Sequence, residues 1–129
     1  RGAASVVLVE SDAAAAAVAR ANAAAIALPR VTVRRESVER ALVLGPRPRE
    51  RVDLAFLDPP YDLDEAALAD VLTLLVTHRW LAVDALVVVE RSSRSPQPLW
   101  PAGLVATGER RYGETKMWFA DFPGPDAVA

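Results

Sequence analysis

Apolar residues along this chain gather in short runs, and the runs follow two different periods. Ser5–Glu10 (SVVLVE), Val52–Leu57 (VDLAFL) and Ala85–Glu90 (ALVVVE) are short, rich in branched residues and almost continuously apolar. That pattern predicts parallel strands covered on both faces, because a strand with one wet face alternates. Val31–Arg34 is a further, shorter strand candidate. Between these runs the period lengthens to that of a helix. Ala13–Leu28 is alanine-rich, with Ser11 placed to cap a helix, Asp12 in its first turn and Pro29 at its end. Ser37 can cap a short helix reaching Leu44. Asp64 can cap a longer one to Thr77, in which Leu68, Val71, Leu72, Leu75 and Val76 recur at three-and-four spacing. Near the C-terminus, Leu104–Arg111 and Thr115–Ala120 flank Tyr112-Gly113-Glu114, a hairpin signal.

The order β-α-β-α-β-α-β followed by β-β predicts an α/β fold: a mostly parallel sheet with a C-terminal antiparallel hairpin at or near one edge. Residues 1–122 are expected to form one domain, since 129 residues can bury one core but not two. Residues 123–129 are expected to fray. Segments 45–51 (GPRPRER) and 92–103 (SSRSPQPLWPAG) are loops by composition.

Charge and composition exclude more than they identify. With no cysteine and a single histidine, His78, disulfides and thiolate metal sites are ruled out, no metal site is expected, and His78 fits a helix C-cap better than catalysis. A net charge of −2 argues against a whole surface built for phosphate, although Arg34 with Arg35, Arg47 with Arg49 and Arg51, and Arg110 with Arg111 form local clusters. No apolar run approaches the ~18 residues of a membrane span and no signal-peptide pattern opens the chain, so a cytoplasmic location without membrane contact is expected. Trp80, Trp100 and Trp118 are expected to pack rather than present a surface.

The candidate chemistry lies where the strand 52–57 stops at Asp58-Pro59-Pro60-Tyr61. Two prolines supply no backbone N–H, so the ladder cannot continue and Asp58 is left at a strand end. Open α/β sheets bind ligands at the carboxyl ends of their parallel strands, where an acid such as Glu10 commonly receives ribose hydroxyls.

The DPPY sequence resembles the fourth motif of class I S-adenosylmethionine-dependent methyltransferases that modify exocyclic amino groups of nucleobases. Through RGAASVVLVESD, RRESVERAL, VDLAFLDPPY, ALVVVE and YGETKMWF, nearly the whole chain resembles the bacterial 16S ribosomal RNA guanine 2-amino methyltransferases. The resemblance implies a Rossmann-like methyltransferase sheet and S-adenosylmethionine as cofactor. Glu10 would hold the cofactor ribose, with Ser11 beside it. Glu36, Ser37 and Val38 fall where the family reads Asn-Asp-Ala against adenine, so an aspartate is replaced by Ser37 there. Asp58, Pro59, Pro60 and Tyr61 would form the catalytic motif, with Asp58 also near the cofactor. Tyr61 would stack on the target base, and Arg110 and Arg111 are candidates for RNA phosphate, while Tyr112, in a hairpin that the resemblance places at the far edge of the sheet, is read as structural.

The family's Gly-rich loop and first, central strand have no counterpart here. The expectation is therefore a partial catalytic domain lacking that strand, with homodimer formation across the gap if the truncation is real. The expected partner is 16S ribosomal RNA or the small ribosomal subunit. Three other readings remain: a DNA adenine amino-methyltransferase, a non-catalytic module that binds RNA or its own copy, and a nicotinamide-binding domain. The last gives no role to DPPY and lacks its glycine fingerprint.

Overall fold

The computed structural model describes residues 5–25, 30–46, 51–60 and 62–124. It divides into two compact units, residues 1–44 and 45–129.

In the first unit β1 (Val6–Val9) and β2 (Val31–Arg34) form a parallel ladder, with Val6 opposite Val31 and Val9 opposite Arg34. The Glu10 N–H prolongs it by donating to the Arg34 carbonyl at 2.9 Å. Helix α1 (Ala13–Ala25) lies against β2 and buries Ala16. Its cap is not Ser11: the Asp12 carboxylate accepts the Ala15 N–H at 2.9 Å. The helix begins one residue later than the expected cap allows, and Asp12 spans the three residues to a free N–H as N-caps do. Residues 26–28 of the predicted helix, and Pro29, lie outside the described residues. Helix α2 (Val38–Val43) starts as expected, with the Ser37 hydroxyl accepting the Arg40 N–H at 3.2 Å.

The second unit contains β3 (Val52–Leu57), α3 (Glu65–Thr77), β4 (Leu81–Ser92), β5 (Val105–Tyr112) and β6 (Thr115–Phe122). Their sheet has the order β3-β4-β6-β5, in which β3 runs parallel to β4 while β6 is antiparallel to both β4 and β5. Gly113, with φ 59°, opens the two-residue loop between Tyr112 and Thr115, the position where a tight hairpin turn needs positive φ.

Strand β4 is twice the length expected from Ala85–Glu90. At its start Val52 pairs with Leu81 but Leu54 pairs with Leu86, so extra residues bulge around Asp84, whose φ is 66°. Asp84 interrupts the apolar run, which hid the strand's beginning. At its end Arg91 and Ser92 stay in the ladder through pairing with Lys116 and Thr115.

Leu68, Val71, Leu72 and Leu75 of α3 are buried, as their spacing predicted, and so are Ala85, Val87 and Val89 of β4 and Trp118, Ala120 and Phe122 of β6. These strand residues alternate onto one face. Gly103 shows how closely the chain crosses there, because a Cβ on it would stand 3.2 Å from Val76 of α3 and 3.7 Å from Phe122. Each fully buried leucine contributes roughly 1.5–3 kcal/mol. His78 is the C-cap of α3, and Trp80 packs in the core with Trp118.

Two expectations about burial fail. Strand β3 is not covered on both faces: Leu54 is 57% and Phe56 53% exposed. Among the described residues β3 pairs only with β4, while α3 takes up one side of the sheet. In β1, Leu8 is likewise exposed. Tyr112 lies in β5, an edge strand exposed along its whole length. No described helix is long and apolar enough to cross a membrane.

This burial contrast predicts that Leu72→Ala lowers unfolding stability by about 2–5 kcal/mol. Leu54→Ala should change it by no more than about 0.5 kcal/mol. Denaturant titration of the two variants checks both values.

Candidate active site

Strand β3 ends at Leu57 because neither Pro59 nor Pro60 can donate to a ladder. Its neighbour β4 continues to Ser92, held by β6 on the other side. The offset leaves Asp58, Pro59 and Pro60 alongside the last residues of β4. Asp58 and Pro60 are exposed and Pro59 is partly buried. The Pro60 carbonyl accepts the Leu63 N–H at 3.0 Å, closing a turn that leads to the Asp64 cap of α3. Asp64 Oδ1 accepts the Ala67 N–H at 2.6 Å. Tyr61 lies outside the described residues.

Two consecutive residues of β4 meet this turn from opposite faces. Leu57 pairs with Val89, so the next residue of each strand, Asp58 and Glu90, bring their carboxyl groups together. Burial first, then the charge of Asp58, then a hydrogen bond with the Asp58 side chain push the Glu90 carboxyl above the usual carboxylate range.

Arg91 points the other way and is 2% exposed. Its Nη1 donates to the Pro60 carbonyl at 3.1 Å, and its Nη2 donates to the Leu63 carbonyl at 2.8 Å and to Glu65 Oε1 at 3.0 Å. Neither Glu90 nor Arg91 was singled out from the sequence. Glu90 carried a usable signal, an acid ending an apolar run just as Glu10 and Asp58 do. Arg91 carried none, since one arginine after a strand reads as solvated surface.

In the first unit, Glu10 sits at the carboxyl end of β1, where its Oε1 accepts the Asp12 N–H at 3.1 Å. Ser11 is exposed. Since Glu10 is hydrogen-bonded to Arg34 through the backbone, Glu36, Ser37 and Val38 follow β2 at the same end of the ladder. Glu36 Oε1 pairs with Arg34 at 3.4 Å. The Ser37 hydroxyl is engaged as a cap, and Val38 opens α2 exposed to solvent.

Arg110 and Arg111 are both exposed on β5 but differ in direction. Met117 pairs with Glu90 on one side and with Arg110 on the other. Asp58, Glu90, Met117 and Arg110 therefore form one cross-strand row, and at about 4.8 Å per strand Arg110 is roughly 14 Å from Asp58. Arg111 is on the opposite face, where its Nε donates to the Gly113 carbonyl at 2.9 Å. Its neighbour Lys116 pairs with Glu109 at 3.5 Å and lies 5.0 Å from the Trp118 ring centre. Among the described residues no cluster of three or more His, Cys, Asp or Glu side chains could hold a metal.

Solved structures with this fold include a conserved hypothetical protein of Streptococcus pyogenes, 29% identical, with a TM-score of 0.83 over 94% of this chain and 73% of that one. Another is the "putative methylase" HI0767 of Haemophilus influenzae, 23% identical, with a TM-score of 0.78 over 95% of this chain and 74% of that one. The "putative methyltransferase" yhhF of Escherichia coli is also 23% identical, with a TM-score of 0.78 over 95% of this chain. The chain spans 66% of that protein's length. These likenesses establish a methyltransferase-like α/β fold. No curated protein matches the chain. Residues 1–121 match the family model described as conserved hypothetical protein 95. The chain belongs to that family, in keeping with its resemblance to the 16S ribosomal RNA methyltransferases.

Proposed function

We propose that the protein transfers a methyl group from S-adenosylmethionine to the exocyclic 2-amino group of a guanine in 16S ribosomal RNA. The observation that carries this reading is the Asp58-Pro59-Pro60 turn at the carboxyl end of β3, with the Glu90 carboxyl beside Asp58. The family to which the chain belongs and the names of its structural neighbours support it.

The donor groups suit the adenosine part of the cofactor. Glu10 uses Oε1 on a backbone N–H, which leaves its second oxygen for ribose hydroxyls. Ser37 accepts one backbone N–H and keeps a lone pair for the adenine amino group, while the exposed Val38 offers an apolar surface to the ring. When bound, the cofactor supplies an electrophilic methyl group on a sulfonium.

A guanine 2-amino group is a poor nucleophile because its lone pair is delocalised into the ring. Asp58 and the Pro59 carbonyl accept its two hydrogens, which localises the pair and directs it at the methyl group. The stiff φ of proline fixes that carbonyl. With its proton, Glu90 donates to the Asp58 side chain and orients it as an acceptor. Tyr61 stacks on the base, which is reached when unpaired or flipped. Arg110, on the same face as Asp58, contacts phosphate, whereas Arg111 faces away and is the weaker candidate.

Calorimetric titration with S-adenosylmethionine, of this chain and of one extended at the N-terminus, should show binding by at least the extended protein. Labelled methyl transfer to 16S RNA from subunits lacking the mark should fall about 10²-fold in Asp58→Ala, which loses one of two orienting acceptors. Tyr61→Phe should stay active, and Tyr61→Ala should lose the roughly 1–3 kcal/mol of base stacking. No binding by either protein, or full activity in Asp58→Ala, would overturn the reading.

Glu90 adds a pH signature. Its folded pKa is raised, so the native state binds more protons than the unfolded chain, and stability falls as pH rises from the ordinary glutamate range through the raised value. Glu90→Gln keeps a donor toward Asp58 without the titration. Unfolding midpoints measured across that window should decline in the parent and stay flatter in Glu90→Gln.

A further inference from the structure

We propose that Arg91 is a positioning residue for this reaction: its guanidinium fork fixes the Pro60 and Leu63 carbonyls, and through them the geometry of the Asp58-Pro59-Pro60 turn. The proposal rests on the methyl-transfer reading above.

Pro60 has its φ set by its ring, so its remaining backbone freedom is the rotation that swings its own carbonyl against the preceding peptide plane. That preceding plane carries the Pro59 carbonyl. Arg91 Nη1 and the Leu63 N–H both donate to the Pro60 carbonyl, at 3.1 and 3.0 Å, and so remove this rotation. Nη2, 2.8 Å from the Leu63 carbonyl, grips the far end of the same turn. One planar side chain therefore spans both carbonyls that bracket Tyr61 and Asp62. Its base is rigid, since Arg91 is in the twelve-residue strand β4, paired with Lys116 of β6.

Stability alone gives a poor account of the residue. A buried arginine–glutamate pair is often no more stable than an apolar pair of like volume. This one is also incompletely satisfied, for Arg91 Nε and Glu65 Oε2 are buried without a hydrogen-bond partner. Each such group keeps an uncompensated desolvation cost. What the pair does provide is fork geometry: lysine offers a compact point charge and cannot reproduce two divergent, coplanar donors.

The test compares Arg91→Lys and the double variant Arg91→Met/Glu65→Leu with the parent, in the protein that carries the activity on 16S RNA. Cofactor affinity, kcat, KM for RNA, thermal midpoint and hydrogen exchange at the Leu63 amide are measured. The expected result for Arg91→Lys is unchanged cofactor binding, little change in KM and a fall in kcat of about 10²-fold, the scale of a misplaced reacting group. The double variant should melt at or above the parent temperature and still be slow. A parental kcat in Arg91→Lys, or recovery of kcat in the double variant, overturns the proposal. If the parent itself transfers no methyl group to RNA, the functional reading fails instead. Exchange at Leu63 then decides the clamp: faster in both variants supports it, and an unchanged rate overturns it.

Discussion

The arrangement around the candidate site follows from one inability, that of the Pro59-Pro60 pair to donate hydrogen bonds. A parallel ladder needs an N–H from each strand in turn, so β3 stops at Leu57. Strand β4 is under no such limit, because β6 continues to pair with it through Ser92. The difference in where two neighbours end exposes Asp58 and leaves Glu90 and Arg91 to meet the turn from opposite faces. Had both strands ended together, the motif would be a surface loop with its own conformational freedom. Instead it is gripped by the central strand of its sheet.

That grip is made from interactions that stabilise a fold poorly. Burial, and then the neighbouring charge of Asp58, disfavour the ionised form of Glu90 and push its carboxyl up. A buried guanidinium needs several acceptors to offset its lost hydration, and two of those it has are backbone carbonyls of the turn itself. The apolar layer of α3, β4 and β6 supplies the stability that this end of the sheet does not. Polar cost is concentrated where a substrate amino group would need fixed acceptors, and Leu68, Leu72, Val87 and Val89 stay in ordinary close packing.

Much of the architecture was legible because local rules and tertiary packing agree in it. The Asp64 and Ser37 caps, the α3 stripe and the Gly113 hairpin turn each depend on neighbours within four residues, which a linear reading can see. The Ser11 cap failed by one position, because Asp12 competes for the same free N–H groups and wins. The ends of β4 were hidden for a different reason: Asp84 sits in a bulge, and Arg91 and Ser92 are polar residues kept in the ladder by β6. Burial was least legible. VDLAFL and ALVVVE carry the same apolar signature, yet Val87–Val89 is enclosed while Leu54 and Phe56 are exposed. An apolar run states that a strand can be covered, not how many partners it has among the described residues.

The same distinction applies to the three acids that end apolar runs. Glu10, Asp58 and Glu90 each end an apolar run, and the sequence offers no way to rank them. Their neighbours rank them. Glu10 accepts a backbone N–H from Asp12 through one oxygen and leaves the other open. Glu90 is pressed against Asp58 and holds a proton more readily than a free glutamate. Asp58, at the end of the shorter strand, is the more exposed member of that pair. When environments push like groups toward different protonation states, their roles separate. Strand position tells where an acid can act, and the chain packed beside it decides whether it accepts a hydrogen bond or donates one.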